Sequence, residues 1–115
     1  MEERNILFPG QSEACDCFET PRVHRTLIKW LGMDEEYAEV SILACNRCGQ
    51  HWLNLLIELE GFTASGRWYE GAITVEQAEQ VLAENGQAML EGLSWYFYGG
   101  SYYDGRTGKT AGKIW

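Results

Sequence analysis

The sequence predicts an α+β fold, a small antiparallel sheet built on a metal-holding hairpin and carrying two or three helices. Three observations predict it. Residues 37–60 read as two alternating runs joined by Cys45-Asn46-Arg47-Cys48-Gly49. A second cysteine pair, Cys15 and Cys17, stands upstream and completes a set of four. Downstream, Thr74-Val75-Glu76-Gln77 opens a helical pattern.

From Tyr37 to Cys45 the side chains alternate, with Val40, Ile42 and Ala44 on one face and Glu39 and Ser41 on the other, as a half-buried strand requires. In the return run His51, Leu53, Leu55, Ile57 and Leu59 share one parity, while Asn54, Glu58 and Glu60 share the other. Trp52 and Leu56 are apolar exceptions on that outer face. Between the runs, Gly49 supplies the positive φ that lets backbone amides turn toward sulfur.

One Cys-x-x-Cys supplies two of the four ligands a tetrahedral zinc needs, so the other pair is required. Twenty-seven residues lie between Cys17 and Cys45, which places an ordered element inside the loop the metal closes. Through Cys45-Asn46-Arg47-Cys48-Gly49 between two strands, residues 15–60 resemble the zinc-ribbon and zinc-knuckle group of metal sites. The resemblance implies a structural zinc held by Cys15, Cys17, Cys45 and Cys48, and it makes the hairpin a zinc knuckle. The chain departs from ribbons in its first pair, Cys15-Asp16-Cys17, one residue shorter than a knuckle, which leaves His51 or His24 as a substitute for one thiolate.

Other uses of the cysteines are disulfides, free or redox-active thiols, and an iron–sulfur site. The start MEERNILFPG has no basic segment followed by an apolar run and a cleavage site, so a reducing, cytoplasmic setting is expected and disulfides are disfavoured. A bridge from Cys15 to Cys17 would also be strained. Four sulfurs leave a zinc no open position, which argues for a structural metal over a catalytic one.

A chain of 115 residues is expected to form one domain: an arm over 1–14, the cysteine-pair region over 15–60, a strand–helix–strand unit over 61–98 and a glycine-rich tail over 99–115. The net charge of −8 disfavours nucleic acid and anionic membranes as partners. No apolar run approaches the twenty residues of a membrane span.

In the arm, Ile6-Leu7-Phe8 reads as at most a short strand before Pro9-Gly10. Thr20-Pro21 and Gly32 then read as the start and stop of a helix over 21–31, with Val23, Leu27, Trp30 and Leu31 on one face and Arg22, Arg25 and Lys29 on another. Asp34-Glu35-Glu36 turns into the hairpin. After Glu60-Gly61 and Ser65-Gly66, a third strand is expected over 67–73. Thr74 and Gln77 fit a capping box. Val75, Ala78, Leu82, Met89 and Leu93 keep one helical face, so the helix either runs to about Glu91 or breaks at the Asn85-Gly86 signal. Residues 94–98 read as a strand. Gly108-Lys109-Thr110 lacks the preceding glycine and following helix of a phosphate loop, so the tail reads as a turn at Asp104-Gly105 and a loose or edge-strand terminus.

No catalytic constellation converges. Glu58, Glu60, Glu70, Glu91 and Asp104 read as surface acids, Glu70 and Asp104 being the residues an aromatic-pocket enzyme would use. The rings Trp68, Tyr69, Trp95, Tyr96 and Tyr98 are too many for two short strands to bury and read as a partner surface. The expected function is a zinc-stapled binding or regulatory module for a protein partner, a basic one matching the acidic chain best. A homodimer remains open through an edge strand near the C-terminus. The alternatives are a thiol redox protein using Cys45 and Cys48, and a small-molecule enzyme.

Overall fold

The computed structural model describes residues 15–58 and 64–114. The expected arm over 1–14 and the turn at Glu60-Gly61 lie outside these. Six strands form one open antiparallel sheet in sequence order: β1 (Arg25–Met33), β2 (Glu39–Cys45), β3 (His51–Ile57), β4 (Arg67–Ile73), β5 (Tyr96–Gly99) and β6 (Gly108–Thr110). Two short helices, α1 (Val75–Gln80) and α2 (Gly86–Glu91), lie between β4 and β5. The architecture is therefore α+β, with each strand paired to its neighbour in sequence and the two helices inserted between β4 and β5.

The β2–β3 hairpin forms in the expected phase, with Val40 opposite Leu55 and Ile42 opposite Leu53. These four are fully buried or nearly so, and with Tyr69, Ile73, Val81, Leu90, Tyr96 and Ile114 they make the core on the helix-bearing face. The opposite face is buried too. Trp52, read as an outer-face exception, is 0 % exposed in a second core with Cys17, Phe18, Cys45 and Phe97. A sheet covered on both faces buries successive side chains, so the strict alternation of a half-exposed strand does not apply to it.

The helix expected over 21–31 is instead β1. Arg22 and His24 have positive φ (66° and 59°), which ends any helical course immediately after Pro21. The apolar spacing that suggested a helix has another origin. Leu27, Trp30 and Met33 pair with Leu43, Ser41 and Glu39, so β1 advances three residues for each two of β2, with bulges at Leu27/Lys29 and Trp30/Gly32. Two bulges turn a period of two into a period of three, which imitates one side of a helix.

At Thr74 the capping box is present: the Thr74 hydroxyl accepts from the Gln77 amide at 3.0 Å, and the Gln77 side chain accepts from the Thr74 amide at 2.8 Å. The break that follows falls neither at Gly86 nor beyond it. Val81 is extended (φ −73°, ψ 142°), and a 3₁₀ turn over Ala83–Asn85 leads into α2. Val81 is thereby buried, whereas Leu82 is 52 % exposed and leaves the expected apolar face. Gly86 starts α2 with helical angles, and its lack of a side chain is needed because a Cβ there would stand 2.7 Å from Val40 Cγ1. The tail is an edge strand, joined to β5 through the turn at Asp104-Gly105, both with positive φ. Glu91 accepts from the Ile114 amide at 2.9 Å and Tyr96 donates to the Gly112 carbonyl at 2.7 Å, which fastens the end of the chain to the sheet.

Candidate metal centre

Cys45 ends β2, and Cys48 lies in the turn before β3. The turn is closed by the Gly49 amide donating to the Cys45 carbonyl (3.0 Å) and the Cys45 amide donating to the Gln50 carbonyl (2.9 Å), with Gly49 at φ 82°. The Arg47 amide points at Cys45 Sγ, 3.4 Å away. Gln50 is fully buried and donates to the His51 and Ile73 carbonyls, tying the turn to β4.

Cys15 and Cys17 flank the start of a 3₁₀ turn, Asp16–Phe18, in which the Phe18 amide donates to the Cys15 carbonyl. Cys15 stands just before the turn with extended angles (φ −74°, ψ 140°) and Cys17 lies within it, and both sulfurs reach the same cluster. The two pairs interlock across the chain. Cys15 Sγ lies 3.8 Å from Cys45 Sγ, and Cys17 Sγ lies 3.6 Å from Cys48 Sγ. All four sulfurs are within 4.8 Å of one another, and none is in a disulfide. Arg47 and Asp16 join the two turns on the outside through an exposed ion pair of 2.8 Å.

Electrostatics split the thiols. Burial alone would raise Cys45, but backbone amides of Cys48 and Arg47 donating to its sulfur outweigh it and bring the pKa to about 7. Cys17, buried and facing Cys48 and Cys15, is pushed far above the usual thiol range, chiefly by desolvation. Desolvation raises Cys15 as well. Four thiols so close cannot all ionise without a cation among them, so the donor set could hold a soft metal ion. Tetrahedral zinc with bonds of about 2.3 Å sets its sulfurs roughly 3.8 Å apart, close to the two distances observed.

Neither histidine belongs to the cluster among the described residues. His51 shares the parity of Leu53, on the face away from Cys45, and its Nδ1 sits 3.1 Å from the Gly49 carbonyl. His24 is exposed, and its carbonyl accepts from the Asn46 amide.

Beneath the cysteines lies a feature that the sequence reading missed. Glu70 was expected at the surface, yet it is 0 % exposed. Its Oε1 accepts from Arg25 Nη2 at 3.0 Å and from the Arg22 amide at 3.1 Å. The Arg25 guanidinium also donates to the Cys17 carbonyl (3.2 Å) and lies 4.3 Å over the Trp52 ring. The available signal was a lone acid inside the apolar strand Arg67–Ile73.

The expected aromatic surface is largely interior. Tyr69 and Tyr96 are 2 % and 1 % exposed, Trp68 and Trp95 are half-buried against the second core, and Tyr98 is half-buried against the first. Asp104 is exposed at the tail turn, far in the chain from any other acid, and pairs with Arg106. Gly108-Lys109-Thr110 is strand β6, with Lys109 Nζ 4.6 Å over Trp95. No helix among the described residues is long and apolar enough to cross a membrane. None of the known protein families, curated proteins or solved structures matches the chain.

Proposed function

We propose that the protein is a small binding module stapled by one structural zinc, with Cys15, Cys17, Cys45 and Cys48 as its ligands. The observation that carries this reading is the interlocked geometry: sulfurs 3.6 and 3.8 Å apart across the two pairs, all four within 4.8 Å. A zinc there would tie residues 15–24 down over Trp52 and Phe97, so the metal's role is to close the second core. The partner is a protein, engaged through the half-buried rings: Trp68 and Trp95 on one face of the sheet, or Tyr98 with Tyr69 and Tyr96 behind it on the other. The charge of −8 favours a basic one.

Elemental analysis of protein purified without an affinity metal, with thiol counting before and after chelation, tests the metal. One zinc per chain and four thiols masked until chelation is the expected result. Four freely reactive thiols in metal-free, fully folded protein would refute the reading. The lowered pKa of Cys45 favours a second reading, thiol redox chemistry with Cys48. Against it, Cys45 closes a strand instead of opening a helix, and the same thiol count separates the two.

A further inference from the structure

We propose that Arg25 is the positioning residue of the metal site, holding the Cys15–Cys17 pair against the Cys45–Cys48 turn and thereby setting how tightly zinc binds. The inference rests on the zinc site proposed for the four cysteines and adds to it a residue that is not a ligand. A site drawn from two distant pairs binds only as tightly as the fold presents those pairs to each other, because any misplacement is corrected out of the binding free energy.

Arg25 touches both pairs. In the β1–β2 ladder it stands opposite Cys45, and its neighbours grip the turn that follows. The His24 carbonyl accepts from the Asn46 amide at 2.8 Å, and the Thr26 hydroxyl donates to Asn46 Oδ1. The Arg25 guanidinium reaches toward the other pair. Its Nη2 donates to the Cys17 carbonyl at 3.2 Å and to Glu70 Oε1 at 3.0 Å, while Nη1 donates to the Val23 carbonyl at 3.0 Å. The side chain is 3 % exposed, and its guanidinium carbon lies 4.3 Å over the Trp52 ring. Arginine suits this place because one planar group meets three acceptors and a ring face at once.

Glu70 sets the guanidinium in turn. The same Oε1 accepts from the Arg22 amide at 3.1 Å, so one buried carboxylate fixes both Arg25 and the chain that leads from Cys17 into β1. Zinc bound by four thiolates is a net anion, and a neighbouring cation favours it. Glu70 offsets most of that charge, so Arg25 acts chiefly by position. The outer contact between the pairs is different in kind: Arg47 and Asp16 have side chains 53 % and 56 % exposed, where water and salt screen the attraction. Linkage is reciprocal, so zinc must strengthen the hold of Arg25 on Cys17 by the same factor that Arg25 strengthens zinc binding.

Competition of the full chain with a chromophoric zinc chelator reads the affinity, and denaturant unfolding of the metal-free protein reads stability separately. Arg25→Met should weaken zinc binding by about 10- to 100-fold, the range for groups that orient metal ligands. That variant also strands the Glu70 charge, so the deciding comparison is Arg25→Met with Glu70→Met, which leaves no charge buried alone but still deprives the Cys17 carbonyl of its donor. Zinc binding by the double variant should stay weakened at least about tenfold. With Co²⁺ as the probe, both variants should keep a four-sulfur absorption spectrum whose bands are displaced from those of the parent. Arg47→Met should change the affinity by no more than about fivefold. Parental affinity in Arg25→Met overturns the proposal. So does parental affinity in the double variant, since the stranded charge alone would then account for the loss. A parent chain that takes up neither zinc nor Co²⁺ overturns the metal reading itself, and this proposal with it.

Discussion

Glu70 and Arg25 form an ion pair of 3.0 Å with side chains 0 % and 3 % exposed, between a central strand and the edge strand β1. The edge is thereby held to the sheet interior by charge as well as by the β1–β2 ladder. The pair is imperfectly satisfied. Glu70 Oε2, Arg25 Nε, Trp52 Nε1 and Asn54 Oδ1 are buried with no protein hydrogen-bond partner. Such a centre is expensive to disturb from one side.

Removing one partner should therefore cost more than removing both. Glu70→Met or Arg25→Met is expected to destabilise the chain by about 3–5 kcal/mol, because each leaves the other charge buried. The double variant Arg25→Met with Glu70→Met should lose less than the sum of its single counterparts. Denaturant unfolding of the set as a double-mutant cycle measures the coupling; additive losses would show that the pair is not a unit.

Metal removal should open the second core. Phe18 packs on Trp52 with ring centres 5.2 Å apart, and Cys17 is buried beside them. If the proposed zinc is chelated, or in Cys45→Ser, residues 15–24 should lose their anchor, and tryptophan emission should shift to longer wavelength as Trp52 and Trp95 gain water. Stability should fall by about 2.7 kcal/mol if free zinc in the comparison stands roughly 100-fold above its dissociation constant. Unchanged emission on chelation of a zinc-loaded sample would place the ion elsewhere.

The C-terminal anchor predicts a pH dependence. The Ile114 amide donating to Glu91 holds that carboxyl below its usual range, with Gln87 and Lys113 adding to the effect against the opposing pull of burial. A carboxylate lowered on folding stabilises the protein fully above its unfolded value of 4.5, and the contribution is lost as pH falls through the folded value. Glu91→Gln should therefore be less stable than the parent near pH 6. Thermal melts should show the difference shrinking toward pH 3, and a gap that stays constant with pH would mean that the carboxylate charge is not what Ile114 reads.

Gly71 predicts a steric limit. A Cβ there would stand 2.4 Å from Leu93 Cδ1 and 2.6 Å from Leu90 Cδ2, where α2 and its following turn rest on β4. Gly71→Ala should cost about 1–3 kcal/mol by overpacking, and Leu93→Ala should recover part of that loss in the double variant. Equilibrium unfolding reads both.

Much of the local structure was legible. The alternation of Val40 with Ile42 and of Leu53 with Leu55, the Cys-x-x-Cys-Gly turn, the strand Arg67–Ile73 and the Thr74–Gln77 capping box were all read in the right places. Each of these signals is written within a few adjacent residues. The cysteines were read as a set because of their types and spacing, but only the fold brings Cys15 to Cys45 and Cys17 to Cys48.

The sequence by itself therefore determined the β2–β3 hairpin, the helix start and the set of four cysteines. The tertiary structure decided that residues 25–33 form an edge strand, that Trp52 and Glu70 lie inside, and that the rings of β4 and β5 are shared between two cores. The reason is physical. A capping box or an alternating run is satisfied by its own neighbours, whereas the bulged strand, the buried ion pair and the second core depend on partners farther along the chain, as Leu27 does on Leu43, Arg25 on Glu70 and Phe18 on Trp52. Those partners are chosen only when the helices and residues 15–18 cover the two faces of the sheet.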